Sequence, residues 1–136
     1  MRVFIDTNIL IDYICARDGY YEAAKRIFVL AYDKEIEVII STLTYINAFY
    51  IGKRYGFPLE QLVSTLSKIQ DFTKTSDLTV GNLSQSFASK WKDIEDAAQY
   101  YSGMAMGIDC IITRNPKDYI LSKVQVFTPT EFLRDF

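Results

Sequence analysis

The sequence predicts one α/β domain, a three-layer α/β/α sandwich around a mainly parallel, five-stranded sheet. Short apolar runs alternate along the chain with longer segments of helical periodicity, which is the order that βα units and parallel sheets produce. With 136 residues, of which 49% are hydrophobic, the chain is large enough for one domain with a substantial core. It contains no internal repeat, linker or low-complexity segment, so we expect a single domain over residues 1–136.

Each predicted strand is a short apolar or β-branched run. The run VFID is apolar enough to be buried on both faces of a sheet, and EVIIS is rich in the β-branched residues that favour strands. CIIT has the same character, whereas the run between the second and fourth strands is a weaker signal. The five strands are predicted over residues 3–6, 37–41, 72–75, 110–113 and 124–127.

Helices are predicted where apolar residues recur every three or four positions. We expect Thr7 to cap the first helix, Gly19 to separate it from the second, and Gly56 with Pro58 to separate the third from the fourth. Near the end of the chain, TPTE has the form of a capping box with proline at the first helical position. The predicted helices cover residues 8–16, 20–33, 42–55, 59–70, 79–90 and 94–106, followed by a short C-terminal helix.

The absence of histidine limits the chemistry available to this chain. Mechanisms that need imidazole as a base, an acid or a zinc ligand are excluded. A hydrolase built from this sequence would therefore use carboxylates and a hard metal ion. The net charge of −2 argues against nucleic-acid binding through overall charge, but it permits a local basic rim around an acidic pocket.

The cysteines and the apolar segments predict a cytoplasmic protein. Cys15 and Cys110 form neither a disulfide framework nor a CxxC pair, which fits a reducing compartment. The start MRVFID lacks the features of a signal peptide, and no apolar run is long enough to span a bilayer, so we expect no contact with a membrane.

Acids and amides follow the predicted strands at the edge of the sheet where α/β proteins form their sites. Asp6 ends the first strand, in a place where burying an unpaired charge is costly. Asn47 lies within the helix after the second strand. Asp118 lies in the TRNPKD segment after the fourth strand, which we expect to be an extended loop because Pro116 keeps Asn115 out of helical geometry.

A further acidic group begins the helix that leads into the fourth strand. Asp93 and Asp96 are three residues apart on one helical face, whereas Glu95 is expected to point outward. These acids are also explained by capping and by the helix dipole, and that alternative stays open. Taken together, Asp6, Asp96 and Asp118 are predicted to meet at one hard divalent cation, with Asp93 as a secondary candidate.

Three stretches of the chain resemble the PIN-domain ribonucleases, which include the VapC-like toxins of bacterial toxin–antitoxin pairs. They are VFIDTNILIDYI, STLTYINAFYIGKR and DIEDAAQYYSGMAMGIDCIITRNPKDY. The resemblance implies a PIN-like fold and an endoribonuclease that depends on Mg²⁺ or Mn²⁺ and leaves 5′-phosphate and 3′-hydroxyl ends. It also implies a homodimer and a small antitoxin protein that blocks the site.

The resemblance also assigns residues to roles. It implies that Asp6 is the first acid of the site and Asp96 the third, with the fourth at Asn115 or Asp118. The implied metal ligands are therefore Asp6, Asp96 and Asp118. The resemblance also places Asn8 and Thr113 where the family has polar residues that orient water, metal ligands or the scissile phosphate, and Asn115 is a further polar candidate. Arg114 and Lys117 flank the site, and their charges predict that they bind neighbouring phosphates.

The chain departs from the family pattern at the second acid. Most members have a glutamate where this chain has Asn47, which completes the predicted catalytic set. An amide oxygen can bind a metal ion or a water molecule, but it brings no negative charge.

Two other functions remain open. A PIN-like protein whose amides at positions 47 and 115 have ended catalysis would be an RNA- or protein-binding module. A receiver domain or an aspartyl-phosphate hydrolase also places an acid at a strand end. However, DTN lacks the hydrolase's second acid two residues on, and the first strand lacks the receiver's acidic pair.

Overall fold

The computed structural model describes all 136 residues as one parallel sheet covered by helices on both faces. The strands are β1 Arg2–Ile5, β2 Glu37–Ser41, β3 Lys74–Ser76, β4 Cys110–Ile112 and β5 Gln125–Phe127. The helices are α1 Thr7–Ile14, α2 Tyr21–Tyr32, α3 Thr42–Arg54, α4 Leu59–Phe72, α5 Val80–Ala88, α6 Ile94–Ala105 and α7 Pro129–Leu133. The predicted α/β sandwich is therefore confirmed, and all five strands are parallel.

The strand order β3-β2-β1-β4-β5 fixes where a site can form. From β1 the chain builds the sheet outward through β2 and β3, then returns to add β4 and β5 on the other side. The direction of winding therefore reverses between β1 and β4, whose residues Phe4 and Ile111 lie opposite each other. In such sheets the crevice lies outside the carboxyl ends of the two strands that flank the reversal.

Alternate residues of β1 enter two separate cores. Val3 and Ile5 are fully buried in the larger core, which α1, α2, α3, α4 and α7 help to form. Phe4 points to the opposite face and packs with residues of α6 such as Ala97 and Tyr100. Burial on both faces explains why the strand reads as a continuous apolar run.

Gly103 allows α6 to lie unusually close to the sheet. A Cβ atom at this position would be 2.8 Å from Cδ2 of Phe4 and 3.0 Å from Cδ1 of Ile108. Both neighbours are buried, so a side chain would not fit without repacking. Gly103 lies near the carboxyl end of α6, and the acidic group identified above lies at the amino end of the same helix.

Several predicted element boundaries were wrong by a few residues. Asp6, not Thr7, is the N-cap of α1. The third strand begins at Lys74, because α4 continues to Phe72. The segment after β4 is not fully extended: Asn115 is non-helical, as predicted, but Pro116–Tyr119 form one turn of 3₁₀ helix. No helix combines the length and the apolar character that crossing a bilayer requires.

Candidate active site

Asp6 lies at the carboxyl end of β1, buried and held by hydrogen bonds. Its Oδ1 accepts a hydrogen bond from the backbone N–H of Thr7 at 2.8 Å. Its Oδ2 accepts one from the Thr113 hydroxyl at 2.7 Å and another from the Asn8 amide at 3.3 Å. Burial raises the pKa of Asp6 above its ordinary value, although the bonds from Thr113 and Thr7 oppose that rise. The carboxylate has a fixed orientation and no basic partner.

Thr113 and Asn8 join the ends of β1 and β4. The Thr113 side chain is fully buried, and its oxygen also accepts a hydrogen bond from the backbone N–H of Asn115 at 3.1 Å. The Asn8 side chain bonds to Asp6 and accepts a longer hydrogen bond from the backbone N–H of Arg114 at 3.4 Å. Both residues therefore orient Asp6, while the exposed side chain of Asn115 makes no hydrogen bond.

The acids at the start of α6 lie within electrostatic reach of Asp6. Asp93 is the N-cap of the helix, as its position predicted, and its Oδ1 accepts a hydrogen bond from the backbone N–H of Asp96 at 3.0 Å. Partial burial, followed by repulsion from neighbouring carboxylates, raises the pKa of Asp96 to about 7. Those carboxylates belong to Asp6, Asp93, Asp118 and Glu95. The fold thus brings together acids from three separate parts of the chain.

Glu95 also lies beside this group of acids, although the sequence pattern assigned it no role in the site. Its side chain is exposed, but it turns toward α3, where the Asn47 amide donates a hydrogen bond to Oε1 at 2.8 Å. Burial, and then the negative charges of Asp93 and Asp6, raise the pKa of Glu95. Glu95 is exposed, as its place on the helix predicts, but its direction toward α3 could not be predicted, because it depends on a contact between residues 48 positions apart.

Tyr119 is a second residue that sequence reasoning missed. Its side chain is 1% exposed, and its hydroxyl makes no hydrogen bond of good geometry. The hydroxyl lies near the Asp6 carboxylate. Burial, with the charges of Asp6, Asp96 and Asp118, raises the pKa of the Tyr119 phenol well above its ordinary value. A buried polar group without a partner is rare in folded proteins, and this one is directed at the acids.

The two basic residues beside the site have different surroundings. The guanidinium of Arg114 lies with Nε 2.9 Å from Oδ2 of the buried Asp12 and is stacked 4.1 Å from the ring centre of Tyr20. Lys117 is exposed and forms no ion pair. The charge of Lys117 therefore has no acidic partner, whereas Arg114 is already paired with an acid.

A buried polar network lies beneath the acids. The Thr44 hydroxyl bonds to that of Thr7 at 3.0 Å and to Oε1 of Gln99 at 3.0 Å. The Gln99 amide donates back to the Thr7 hydroxyl at 3.3 Å, and Gln99 is 1% exposed. This network connects the first turns of α1 and α3 to α6, so it fixes the relative positions of the helices that present the acids.

Comparison with known proteins identifies the fold family. The family model described as the PIN domain matches residues 2–117. The chain belongs to the PIN domain family. The predicted resemblance is thus confirmed, although no curated protein sequence matches the chain.

Solved structures share this PIN fold at low sequence identity. VapBC2 of Rickettsia felis, bound to a DNA fragment from their promoter, has a TM-score of 0.66 and 18% identity over 93% of this chain and 97% of that one. A toxin–antitoxin complex from Klebsiella pneumoniae has a TM-score of 0.69 and 23% identity, with the same two coverages of 93% and 97%. Mycobacterium tuberculosis VapC20, a sarcin–ricin loop cleaving toxin, has a TM-score of 0.63 and 16% identity over 80% of this chain and 86% of that chain.

The donor atoms of this PIN-domain site fit a hard divalent cation. They are carboxylate, amide and hydroxyl oxygens, and no lysine or arginine pairs with the acids of the cluster. As placed, no three acidic or cysteine side chains are close enough together to hold a metal ion. Mg²⁺ usually binds through one or two carboxylates and keeps several waters, so Asp6 and Asp96 would be sufficient. The three-acid ligand set that includes Asp118 stays a prediction.

The repulsion around Asp96 predicts how the stability of the metal-free PIN domain depends on pH. Because folding raises the pKa of this carboxyl from 3.8 to about 7, the folded state gains protons, and its stability falls as pH rises between those values. The Asp96→Asn variant should lose less stability over this range, by about 1–2 kcal/mol after allowing for solvent screening at a partly exposed group. Urea unfolding at pH 5 and pH 8 in a chelator measures the difference. Equal losses in the two proteins would contradict the prediction.

Proposed function

We propose that this PIN-domain protein is an endoribonuclease that hydrolyses RNA phosphodiester bonds with Mg²⁺ or Mn²⁺. The observation that supports this most strongly is the buried Asp6 carboxylate, oriented by three hydrogen bonds at the reversal point of the sheet. Its neighbours are further acids that no basic side chain neutralises. Such a site favours a cation together with the phosphate that the cation binds.

The protein's own residues would have separate parts in the reaction. Thr113 and Asn8 hold Asp6 in the orientation needed to bind the cation, and Asp96 provides a second carboxylate. A divalent cation held by Asp6 and Asp96 would supply charge neutralisation at the scissile phosphate and would lower the pKa of a water molecule. Lys117, exposed on the 3₁₀ turn, would bind a neighbouring phosphate of the RNA chain as a point charge.

We also propose that the protein is the toxin of a toxin–antitoxin pair, with a small antitoxin as its partner, and that it forms a homodimer in the cytoplasm. Related folds occur in proteins described as VapBC and as a toxin–antitoxin complex. The surface of this protein also favours a macromolecular partner. Ile46 and Val63 line a groove between α3 and α4, and each of these apolar side chains is more than half exposed. Exposed apolar patches of this kind are often covered in an assembly.

A cleavage assay tests the proposed activity. Purified protein is incubated with total RNA in Mg²⁺, in Mn²⁺ or in chelator, and the ends of the fragments are determined. We expect cleavage only with a divalent cation, leaving 5′-phosphate and 3′-hydroxyl ends. Cyclic phosphate ends, or cleavage in chelator, would contradict the mechanism.

The neutral side chains of Asn47 and Asn115 favour one alternative, a PIN-domain binding module without catalysis. Such a module would bind RNA or a protein partner and leave the RNA intact with either cation. Failure of both cations to support cleavage would therefore favour this alternative over the nuclease.

A further inference from the structure

We propose that Glu95 is a metal-binding residue of this site and that it provides the carboxylate which position 47 lacks. The inference rests on the proposed function, since it concerns the same cation. It assigns a role to a residue in the first turn of α6 that motif comparison alone does not single out.

The contact between Asn47 and Glu95 is the first support for this assignment. The Asn47 amide donates to Oε1 of Glu95 at 2.8 Å, so a neutral donor on α3 fixes the position of an acid on α6. A glutamate at position 47 would instead repel Glu95, because two carboxylates cannot both ionise freely at hydrogen-bonding distance. The Asn47 amide brings no carboxylate to the site from α3. Instead it holds the Glu95 carboxylate in place, and that carboxylate comes from α6.

The second support is that this arrangement leaves donor atoms available. Oε2 of Glu95 and Oδ1 of Asn47 make no hydrogen bond within the protein. Mg²⁺ and Mn²⁺ accept carboxylate and amide oxygens as ligands, either directly or through a bound water molecule. Because no three acids lie close enough together to hold an ion directly, Glu95 would act through such a water molecule. No lysine or arginine forms an ion pair with Glu95.

The buried Tyr119 hydroxyl is a separate observation in favour of a ligand among these acids. The Tyr119 hydroxyl is buried, makes no hydrogen bond of good geometry and lies beside Asp6, within reach of the charges of Asp96 and Asp118. A hydrated cation held by Asp6 would place water oxygens there, and one of them would accept a hydrogen bond from this hydroxyl in better geometry than Asp6 allows.

Calorimetric titration of the metal-free protein with Mn²⁺ tests the inference without relying on activity. We expect Glu95→Gln to weaken Mn²⁺ binding by about 10–100-fold, which is the range for residues that support a metal site. Adding Asn47→Glu to Glu95→Gln should restore binding to within about threefold, because the carboxylate returns from the other helix. Glu60→Gln is the matched control, since Glu60 is also an exposed acid in the first turn of a helix. It should change the Kd by less than about twofold.

The outcomes separate this inference from the proposed function. Unchanged Mn²⁺ affinity in Glu95→Gln overturns the role of Glu95 and leaves the nuclease proposal standing. If Glu95→Gln weakens Mn²⁺ binding and the added Asn47→Glu does not restore it, the claim that a carboxylate at either position serves the same purpose is overturned. Absence of Mn²⁺ binding by the unaltered protein overturns both proposals. Thermal unfolding of each variant without metal verifies that the fold is retained.

Discussion

Asp6→Asn is expected to reduce the rate of metal-dependent RNA cleavage by at least about 100-fold while leaving the fold intact. The substitution keeps the shape of the side chain, and its oxygen can still accept the hydrogen bond from the backbone of Thr7 that caps α1. What it removes is the negative charge that would bind the cation. Burial raises the pKa of Asp6, so a neutral side chain is favoured there, but the new amide cannot accept the hydrogen bond from Asn8. We therefore expect the free energy of unfolding of the metal-free protein to change by no more than about 1 kcal/mol.

The measurement for Asp6→Asn pairs two readouts on the same preparation: initial rates of RNA cleavage in Mn²⁺ and the midpoint of thermal unfolding in chelator. The matched control is Asp18→Asn, which removes an exposed acid outside the site and should retain the full rate. Metal-dependent cleavage that survives in both Asp6→Asn and Asp96→Asn would eliminate the proposed mechanism. A large loss of stability in Asp6→Asn would show that Asp6 is mainly structural.

Asp12→Ala is expected to lower the free energy of unfolding by about 2–4 kcal/mol. The Asp12 side chain is 1% exposed and lies 2.9 Å from Nε of Arg114 and 3.5 Å from Nη1 of Arg17. Removing one partner of a buried ion pair leaves the other charge without compensation, at a cost of about 3–5 kcal/mol when the pair is fully buried. We expect a smaller value here, because the two arginine side chains are 24% and 26% exposed.

Urea unfolding at neutral pH measures the effect of Asp12→Ala. Asp18→Ala, at an exposed position in the turn after α1, should change the unfolding free energy by less than about 0.5 kcal/mol. A change below about 1 kcal/mol in Asp12→Ala would mean that the ion pair contributes little to stability. In that case Arg114 would be available to the RNA, as the sequence first suggested.

The fold was predictable because its strongest signals are local. Four of the strands are apolar runs between segments of clear helical period, and that alternation fixes a parallel α/β sheet. The cap of α1 was not predictable in the same way, since Asp6 and Thr7 are both good N-cap residues. The Thr7 hydroxyl is engaged by Thr44 and Gln99, which lie 37 and 92 positions away, and no local pattern contains those contacts.

In the candidate site, too, the features set by neighbouring residues were predictable, and those set by tertiary contacts were not. The place of Asp6 at a strand end and the capping role of Asp93 follow from neighbouring residues, so the sequence indicates both. The contact between Asn47 and Glu95 and the burial of Tyr119 against Asp6 depend on tertiary packing. One signal for Tyr119 was present, an aromatic residue with a polar end that follows an acid, but its burial could not be read from that pattern.

Anomalous diffraction from a crystal grown with Mn²⁺ tests the central claim most directly, since it locates the ion without reference to activity. We expect one strong peak at the carboxyl edge of the sheet, within coordinating distance of both Asp6 and Asp96. Manganese found elsewhere, or no peak between these two carboxylates at saturating Mn²⁺, would contradict a nuclease centre in this protein and leave only its PIN-domain fold.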